Sequence, residues 1–329
     1  MILVTGATGR IGSTLIPMLL EKNYKVKTIL MPGDKGKERL KNLGVEYLEG
    51  KLQDSSICNT AVKDVDTVFH LGAVMFQEWV TNEITFQTNI RGTFNMLEAI
   101  AANNIKLKRF VFASSDQVYP SLKAKYSPID ENHPTEPYNI YGLSKLMGEH
   151  LCRIYLKEFN IPAVWPRFTL TIKGYELFEP NGDLSDFFYV KSKLKKLKEI
   201  SNPSDEVKNL AQKFEEFLNN EGEGIYIPCD EEGVPYEVPF TDPRDVAQGL
   251  LLLLENDKVV GEAFNFGPPF SRPLDEIVKH LSKKKNLPYL KAKMPSSLFK
   301  WNFKININKA KKIFGYNPQW DVFKVIDEM

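Results

Sequence analysis

Cysteine is scarce in this chain: Cys58, Cys152 and Cys229 are three among 329 residues, far apart and odd in number. They give neither a disulfide framework nor metal-ligand spacing, which predicts reduced thiols and no metal site. His70, His133, His150 and His280 form no ligand pattern either, and His70 reads as a buried structural histidine. Long apolar runs are missing, since the longest, Leu250 to Leu254, is far too short to cross a bilayer. An excess of one charge is missing too. Lys+Arg at 43 against Asp+Glu at 42 leaves +1, which offers no broad field to nucleic acid or an anionic membrane. Disorder is excluded for most of the chain, because its 43% of hydrophobic residues are spread along it. The opening Met1-Ile2-Leu3-Val4-Thr5-Gly6 enters a glycine motif at once and leaves no room for a signal peptide. These absences predict a soluble, cytoplasmic protein whose partner is a small molecule, with neither nucleic acid nor membrane.

What is present is a rhythm. Residues 2–4, 25–30, 46–48, 67–71, 109–113 and 163–165 are short apolar runs that read as buried strands. Between them, 14–21, 37–43, 88–102 and 141–159 carry helical spacing. Strands separated by helices imply βαβ units, hence an α/β fold with a doubly wound parallel sheet of Rossmann type. After about residue 170 the pattern changes. Residues 173–224 are rich in Lys and Glu, and apolar positions 207, 210, 211, 214, 217 and 218 fit one or two surface helices with a loop near Asn202-Pro203. Residues 240–254 look like a return to the sheet, with a helix at 245–254, and 309–314 suggests a short terminal helix. The expected organisation is a dinucleotide-binding domain over 1–170, rejoined by about 238–265, and a smaller substrate-binding region over 171–237 and 266–329.

Three motifs carry chemistry. The first strand runs into Thr5-Gly6-Ala7-Thr8-Gly9-Arg10-Ile11-Gly12 and then a helix. Glycines at this spacing permit a tight turn, close approach of backbone to a pyrophosphate, and close packing of helix on strand. The helix N-terminus directs N–H groups and partial positive charge at the phosphates. Next, Tyr141-x-x-x-Lys145 places both side chains on one helix face. A nearby ammonium should favour tyrosinate, and such a tyrosine can take or return the proton of an alcohol. Lastly, Phe112-Ala113-Ser114-Ser115-Asp116-Gln117-Val118-Tyr119 ends a strand, where a serine hydroxyl, Ser115 more than Ser114, can hold a reacting oxygen.

The order TGATGRIG, VFHLGA, SSDQVY, YGLSK resembles the extended short-chain dehydrogenase/reductases of the NAD-dependent epimerase/dehydratase group, and the likeness extends to NFGPP at 265–269 and a terminal KKIFGYNP. The resemblance implies that Ser115, Tyr141 and Lys145 are the catalytic trio. It implies that Gly6, Thr8, Gly9, Arg10, Ile11 and Gly12 hold the pyrophosphate, that Leu52, Leu71, Gly72 and Ala73 line the cofactor, and that Asn89 supports the site from a neighbouring helix. A homodimer paired through the helix bearing Tyr141 and Lys145 is also implied.

Departures from that group are as informative. Gly50-Lys51-Leu52-Gln53-Asp54 has lysine where an acid often meets adenine. Gln117 stands where the 4,6-dehydratases carry a glutamate, and an amide cannot abstract a proton, which speaks against dehydration. Asp116 remains either an acid toward substrate or a turn-capping aspartate. Leu170 stands where nucleotide-sugar members place asparagine. The dinucleotide, NAD or NADP, is open: Asp34 could reach back to the ribose, while Arg10, Lys35 and Lys37 could meet a 2′-phosphate. Arg244 has two readings, a substrate-phosphate ligand or a helix-start arginine paired with Asp242 or Asp245. The expected function is an oxidoreductase or epimerase acting on a hydroxyl-bearing carbon of a sugar or sugar nucleotide. Its alternatives are a reductase of a small carbonyl, similar to the dihydroflavonol reductases, and a non-catalytic dinucleotide sensor.

Overall fold

The computed structural model describes residues 1–75, 79–120, 124–182, 184–298 and 302–329. The strands are β1 (Ile2–Thr5), β2 (Val26–Leu30), β3 (Glu46–Glu49), β4 (Thr67–His70), β5 (Arg109–Phe112), β6 (Ser114–Ser115), β7 (Ala163–Phe168), β8 (Leu170–Thr171), β9 (Ile225–Cys229), β10 (Phe240–Thr241), β11 (Ala263–Phe266) and β12 (Tyr289–Lys293). The helices are α1 (Gly12–Glu21), α2 (Lys37–Asn42), α3 (Ser55–Ala61), α4 (Asn82–Thr85), α5 (Gly92–Ala102), α6 (Ile140–Phe159), α7 (Val190–Lys198), α8 (Asp205–Glu221), α9 (Pro243–Leu252), α10 (Leu274–Lys285), α11 (Asn308–Phe314) and α12 (Val322–Asp327).

The main sheet has the order β11-β7-β5-β4-β1-β2-β3, with β6 also on β7, and every pairing in it is parallel. The winding reverses between β1 and β4, and in such sheets the ligand crevice opens beyond the strand ends at that point. This is the doubly wound Rossmann-type sheet expected from the alternating runs. Strand β1 reads Ile-Leu-Val-Thr and is buried throughout, because helices cover both faces. Leu15, Ile16, Leu19, Val246, Leu250 and Phe314 pack one face, and Met96, Leu97, Ile100, Cys152 and Tyr155 pack the other.

Two local irregularities have chemical causes. Pro17 lies inside α1 and has no N–H for the Ser13 carbonyl; Arg39 Nη2 donates to that carbonyl instead, at 3.1 Å. Pro166 lies inside β7, and the ladder on that side breaks opposite it, between β5 and β6, because proline has no N–H to give. Strand β7 therefore continues to Phe168, past the expected end at 165.

Helix α3 was not apparent in the sequence. Its seven residues are SSICNTA, and Asp54 caps it by accepting from Ser56 N at 2.9 Å. The helix expected at 88–102 is α4, a π-helical segment over 86–91 and α5 in continuous succession. Within 173–224, where one or two helices were expected, there are α7 and α8, separated at Asn202-Pro203. Beyond residue 170 a separate apolar cluster forms around Phe188, Val190, Phe214, Tyr226, Phe240 and Ile277. It is organised by the two small parallel pairs, β8 with β10 and β9 with β12. Among the described residues, no helix is long and apolar enough to cross a membrane.

Candidate active site

The glycine turn leaves β1 at its C-terminal end. Gly6 has φ +70°, and a Cβ there would come within 2.8 Å of the Gly72 nitrogen. A Cβ on Gly12 would lie 2.3 Å from the Gly6 carbonyl oxygen. Both glycines are thus required by close backbone packing. Gly9 is exposed, with only the Gly6 oxygen at 3.4 Å, so its backbone surface stays open at the N-terminal end of α1. Leu71, Gly72 and the exposed Ala73 follow β4 along this crevice, and Leu52 packs against Gly72. An open backbone cradle at a helix N-terminus fits a dinucleotide pyrophosphate.

Thr8 is held by Asp34: its Oγ1 donates to Asp34 Oδ2 at 2.9 Å, while Asp34 Oδ1 accepts from Gly36 N at 2.8 Å. The carboxylate therefore returns to the glycine turn from three residues beyond Met31, the first residue after β2. The three cations considered for a 2′-phosphate are not gathered there. Arg10 Nε donates to both Glu176 oxygens, at 2.7 and 2.9 Å, Lys37 pairs with Glu49, and Lys35 is exposed.

Ser115 ends β6, and its Oγ accepts from Gln117 N at 3.2 Å, so Ser115 and not Asp116 caps the 116–118 turn. The Ser115 hydroxyl donates to Asp116 Oδ1 at 3.1 Å. Asn139 caps α6 by accepting from Gly142 N at 2.7 Å, and its amide donates to Gln117 Oε1 at 2.7 Å. A Cβ on Gly142 would lie 2.2 Å from the Gln117 carbonyl oxygen, so the residue after Tyr141 must be glycine for helix and turn to meet. That contact sets Tyr141 beside Ser115, whose hydroxyl works to lower the Tyr141 phenol. One turn further, Lys145 Nζ donates to the Ala113 carbonyl at 2.8 Å. That carbonyl is available because β4 ends at His70, whose own carbonyl takes Ala113 N–H.

Ionisation in this cluster follows burial. The Lys145 ammonium is pushed down to about 7 by desolvation. The Tyr141 phenol is raised, by burial first and by Asp116 next, against the hydrogen bond from Ser115. Lys145 Nζ, bonded to the Ala113 carbonyl, lies 5.6 Å from the Tyr141 ring centroid. Asp116 is pushed up to about 7 by burial, against hydrogen bonds from Ser115 and the backbone.

A layer of buried polar groups supports the trio. His70, pushed down to about 3 by burial and then by Lys145, is neutral. Thr5 Oγ1 accepts from Gly72 N at 2.9 Å and so gives its proton to His70 Nδ1. The His70 Nε2–H then donates to Thr93, whose hydroxyl donates to the Asn89 carbonyl. Asn89, in the π-helical segment, clasps Val74 through both backbone groups at 2.9 Å and donates to Ser144 on α6 at 3.1 Å. Beneath Ser115, Glu149 accepts from Ser114 at 2.5 Å and from two Arg167 nitrogens at 2.8 and 2.7 Å.

Asn139, Gly142, Glu149, Arg167 and Asp34's hold on Thr8 were missed in the sequence. Glu149 had a signal there: it is four residues after Lys145, on the same helix face. Arg244 stands apart from the trio. Its Nε and Nη2 donate to Asp242 at 2.8 Å each and its Nη1 pairs with Glu328 at 2.7 Å, so the helix-start pairing is the arrangement present. It lines a cavity of about 270 Å³ with Thr14, Lys173 and Glu328, which no member of the trio borders.

Known proteins give the context. Residues 2–199 match the model of the NAD-dependent epimerase/dehydratase family. The chain is 36% identical over 187 residues to a putative UDP-glucose 4-epimerase of Methanocaldococcus jannaschii, covering 56% of this chain and 59% of that one. It is 35% identical over 186 residues to an uncharacterised UDP-glucose epimerase of Bacillus subtilis, covering 53% of this chain and 57% of the relative. These matches thus span little more than half the length of the relatives. A short-chain dehydrogenase/reductase superfamily protein of Agrobacterium tumefaciens, solved with bound NAD, superposes with TM-score 0.85 at 27% identity over 99% of this chain and 95% of that one. With a glycine cradle, a Ser-Tyr-Lys cluster and a matching sequence over more than half its length, the chain belongs to the NAD-dependent epimerase/dehydratase family, whose cofactor is NAD.

Proposed function

We propose that this protein is an epimerase of a sugar nucleotide, working at a hydroxyl-bearing carbon through Ser115, Tyr141 and Lys145. The observation that carries the reading is the packing of α6 on the serine turn, where Gly142 meets the Gln117 carbonyl and Lys145 Nζ donates to the Ala113 carbonyl at 2.8 Å. Bound NAD supplies the hydride acceptor and donor. Tyr141 takes the substrate hydroxyl proton and returns it, Ser115 holds the reacting oxygen, and Lys145 would hold the nicotinamide ribose. Gly6, Thr8, Gly9, Ile11 and Gly12 hold the pyrophosphate. Arg10 contributes its backbone there, its side chain being engaged by Glu176. Leu52, Leu71, Gly72 and Ala73 line the cofactor, and Asn89 fixes the wall at Val74. Gln117, tied to Asn139, supplies no base for dehydration.

Residues 171–237 and 266–329 form the substrate-binding region in this reading, with 1–170 and 238–265 carrying the cofactor. The functional unit is a homodimer. Leu143, Met147 and Ile154 leave an exposed apolar face on α6, with Phe94 of α5 beside it, of the kind an isologous helix pairing covers.

The test is to denature freshly purified protein, identify the released dinucleotide, and incubate the native protein with UDP-glucose. Near-stoichiometric NAD together with UDP-galactose formation supports the reading. Protein that carries no nucleotide, or that reduces free NAD with each turnover, overturns it in favour of a dehydrogenase.

A further inference from the structure

The cavity of about 270 Å³ beside Arg244 lies where the first turn of α1, the 173–175 segment, the start of α9 and the end of α12 meet. The charged side chains on its wall are Lys173 and Arg244 against Asp242 and Glu328. Equal numbers conceal an unequal distribution, because Arg244 engages both acids. Asp242 accepts from its Nε and Nη2 at 2.8 Å each, and Glu328 pairs with its Nη1 at 2.7 Å. Trp320 backs the guanidinium, whose centre lies 4.5 Å from the ring centroid. Lys173 has no acid of its own. Its Nζ donates to the Ser13 hydroxyl at 2.8 Å, and no carboxylate pairs with it among the described residues. Burial first, and the Arg39 guanidinium next, push this ammonium below the ordinary lysine range, with Arg10 adding to them against Glu176 and Asp242.

We infer that this cavity is a phosphate-binding site apart from the catalytic crevice, taking a phosphate group, free or as the monoester of a small molecule, between Lys173 and Arg244. The reason is charge. A monocarboxylate arriving at Arg244 would exchange one carboxylate for another and leave Lys173 as it is. A phosphate dianion brings one charge in place of Glu328 and a second for the lysine.

The groups are arranged for such an exchange. Glu328 is exposed, and an exposed ion pair contributes little, so its carboxylate is readily displaced. Asp242 stays, because it is buried and also caps α9 by accepting from Arg244 N at 2.8 Å. The Lys173 backbone is fixed by Glu176, which accepts its N–H at 2.7 Å, and its ammonium keeps two hydrogens beyond the one given to Ser13. Tyr175, Val325 and Met329 offer a less polar wall for a short carbon skeleton. The volume falls just below the roughly 300 Å³ at which pockets for drug-sized ligands begin, which suits a small monoester. Since no member of the trio borders the cavity, the inference stands independently of the sugar-nucleotide reading.

The experiment titrates inorganic phosphate and glycerol 3-phosphate into NAD-loaded protein by isothermal titration calorimetry. NAD then occupies the glycine cradle, and at about pH 8 both probes are dianions. Both should bind; tighter binding of glycerol 3-phosphate assigns the site to an esterified phosphate, and equal affinity to the free ion. Lys173→Met should weaken binding about tenfold or more, through loss of a charge-assisted hydrogen bond. Glu328→Gln should strengthen it by up to about fivefold, because no carboxylate then competes for Arg244. A gain of affinity is a result that misfolding does not produce. Absence of binding, or affinities that neither variant moves, overturns the inference. Succinate binding as tightly as phosphate overturns the assignment to phosphate. Displacement of the bound phosphate by UDP-glucose would place the cavity in the substrate cleft and overturn the separate site.

Discussion

The sheet-forming region, to which α9, β11 and α11 return, and the apolar cluster beyond residue 170 are built by different rules. In the first, each strand is a short apolar run of a single segment, covered on both faces by helices that follow it in sequence. In the second, the core depends on pairings between distant segments: β9 meets β12 in register from Ile225 with Tyr289 to Cys229 with Lys293, and β8 meets β10 over two residues. The first half could be read from local pattern and right-handed crossover rules. The second could not, because a two-residue strand has no pattern of its own. The cofactor geometry belongs to the first half, and the surfaces that distinguish one substrate from another are proposed for the second.

The largest effect that would sharpen this division is Tyr141→Phe. Turnover should fall by about 10²–10⁴, the usual share of a general acid–base group, with NAD still recovered from the purified variant. Loss of NAD with activity would place Tyr141 in the cofactor cradle instead of at the substrate.

Stability should be carried by unlike groups in the two regions. Glu149→Gln leaves Arg167 buried without its carboxylate and should cost about 3–5 kcal/mol. Phe214→Ala, which removes a fully buried ring packed on Tyr226 at 5.1 Å, should cost a similar amount, about 3–5 kcal/mol, through the cavity it leaves. Urea unfolding followed by tyrosine and tryptophan fluorescence, beside NAD binding, tests the contrast. NAD affinity should drop in Glu149→Gln and persist in Phe214→Ala, and equal losses in both would erase the distinction.

A smaller change concerns the nucleotide. Asp34→Ser should narrow the preference for NAD over NADP by about tenfold, roughly 1.4 kcal/mol, read from the ratio of dissociation constants. An unchanged ratio would remove Asp34 from nucleotide choice.

The smallest effect is a slope. Asp116 in the folded protein titrates near 7, above the 3.8 of an ordinary aspartate, so the folded state holds this proton more tightly than the unfolded chain. Its contribution to stability is therefore fullest below about pH 4 and is lost as pH rises through about 7. Urea midpoints measured across this window should decline less steeply in Asp116→Asn than in the wild type. An identical slope would mean that the carboxyl is ordinary.

The legible part of the site was the part written in short motifs. Gly6 and Gly12 announced a tight turn because only glycine survives such close backbone contacts, and Tyr141 with Lys145 stood out through resemblance to a family. The choice between NAD and NADP was left open, since nothing local shows that Arg10 is taken by Glu176 from 166 residues away. Asp116 was left between an acid toward substrate and a turn cap, and Ser115 occupies the cap and leaves the carboxyl buried. Strand β7 was cut short at its proline, because the sequence does not reveal that the neighbouring strand would break at the same place.

By itself, then, the sequence determined the parallel sheet and the glycine turn, since periodicity and steric demand act within a few residues, while Ser115, Tyr141 and Lys145 were named by resemblance to a family. Tertiary structure decided where charge resides among these groups. It turned Lys145 to the Ala113 carbonyl, brought Asp116 to Ser115 and Asp34 to Thr8, and buried Glu149 with Arg167. Ionisation depends on desolvation and on partners from distant segments, and neither exists until the chain has folded.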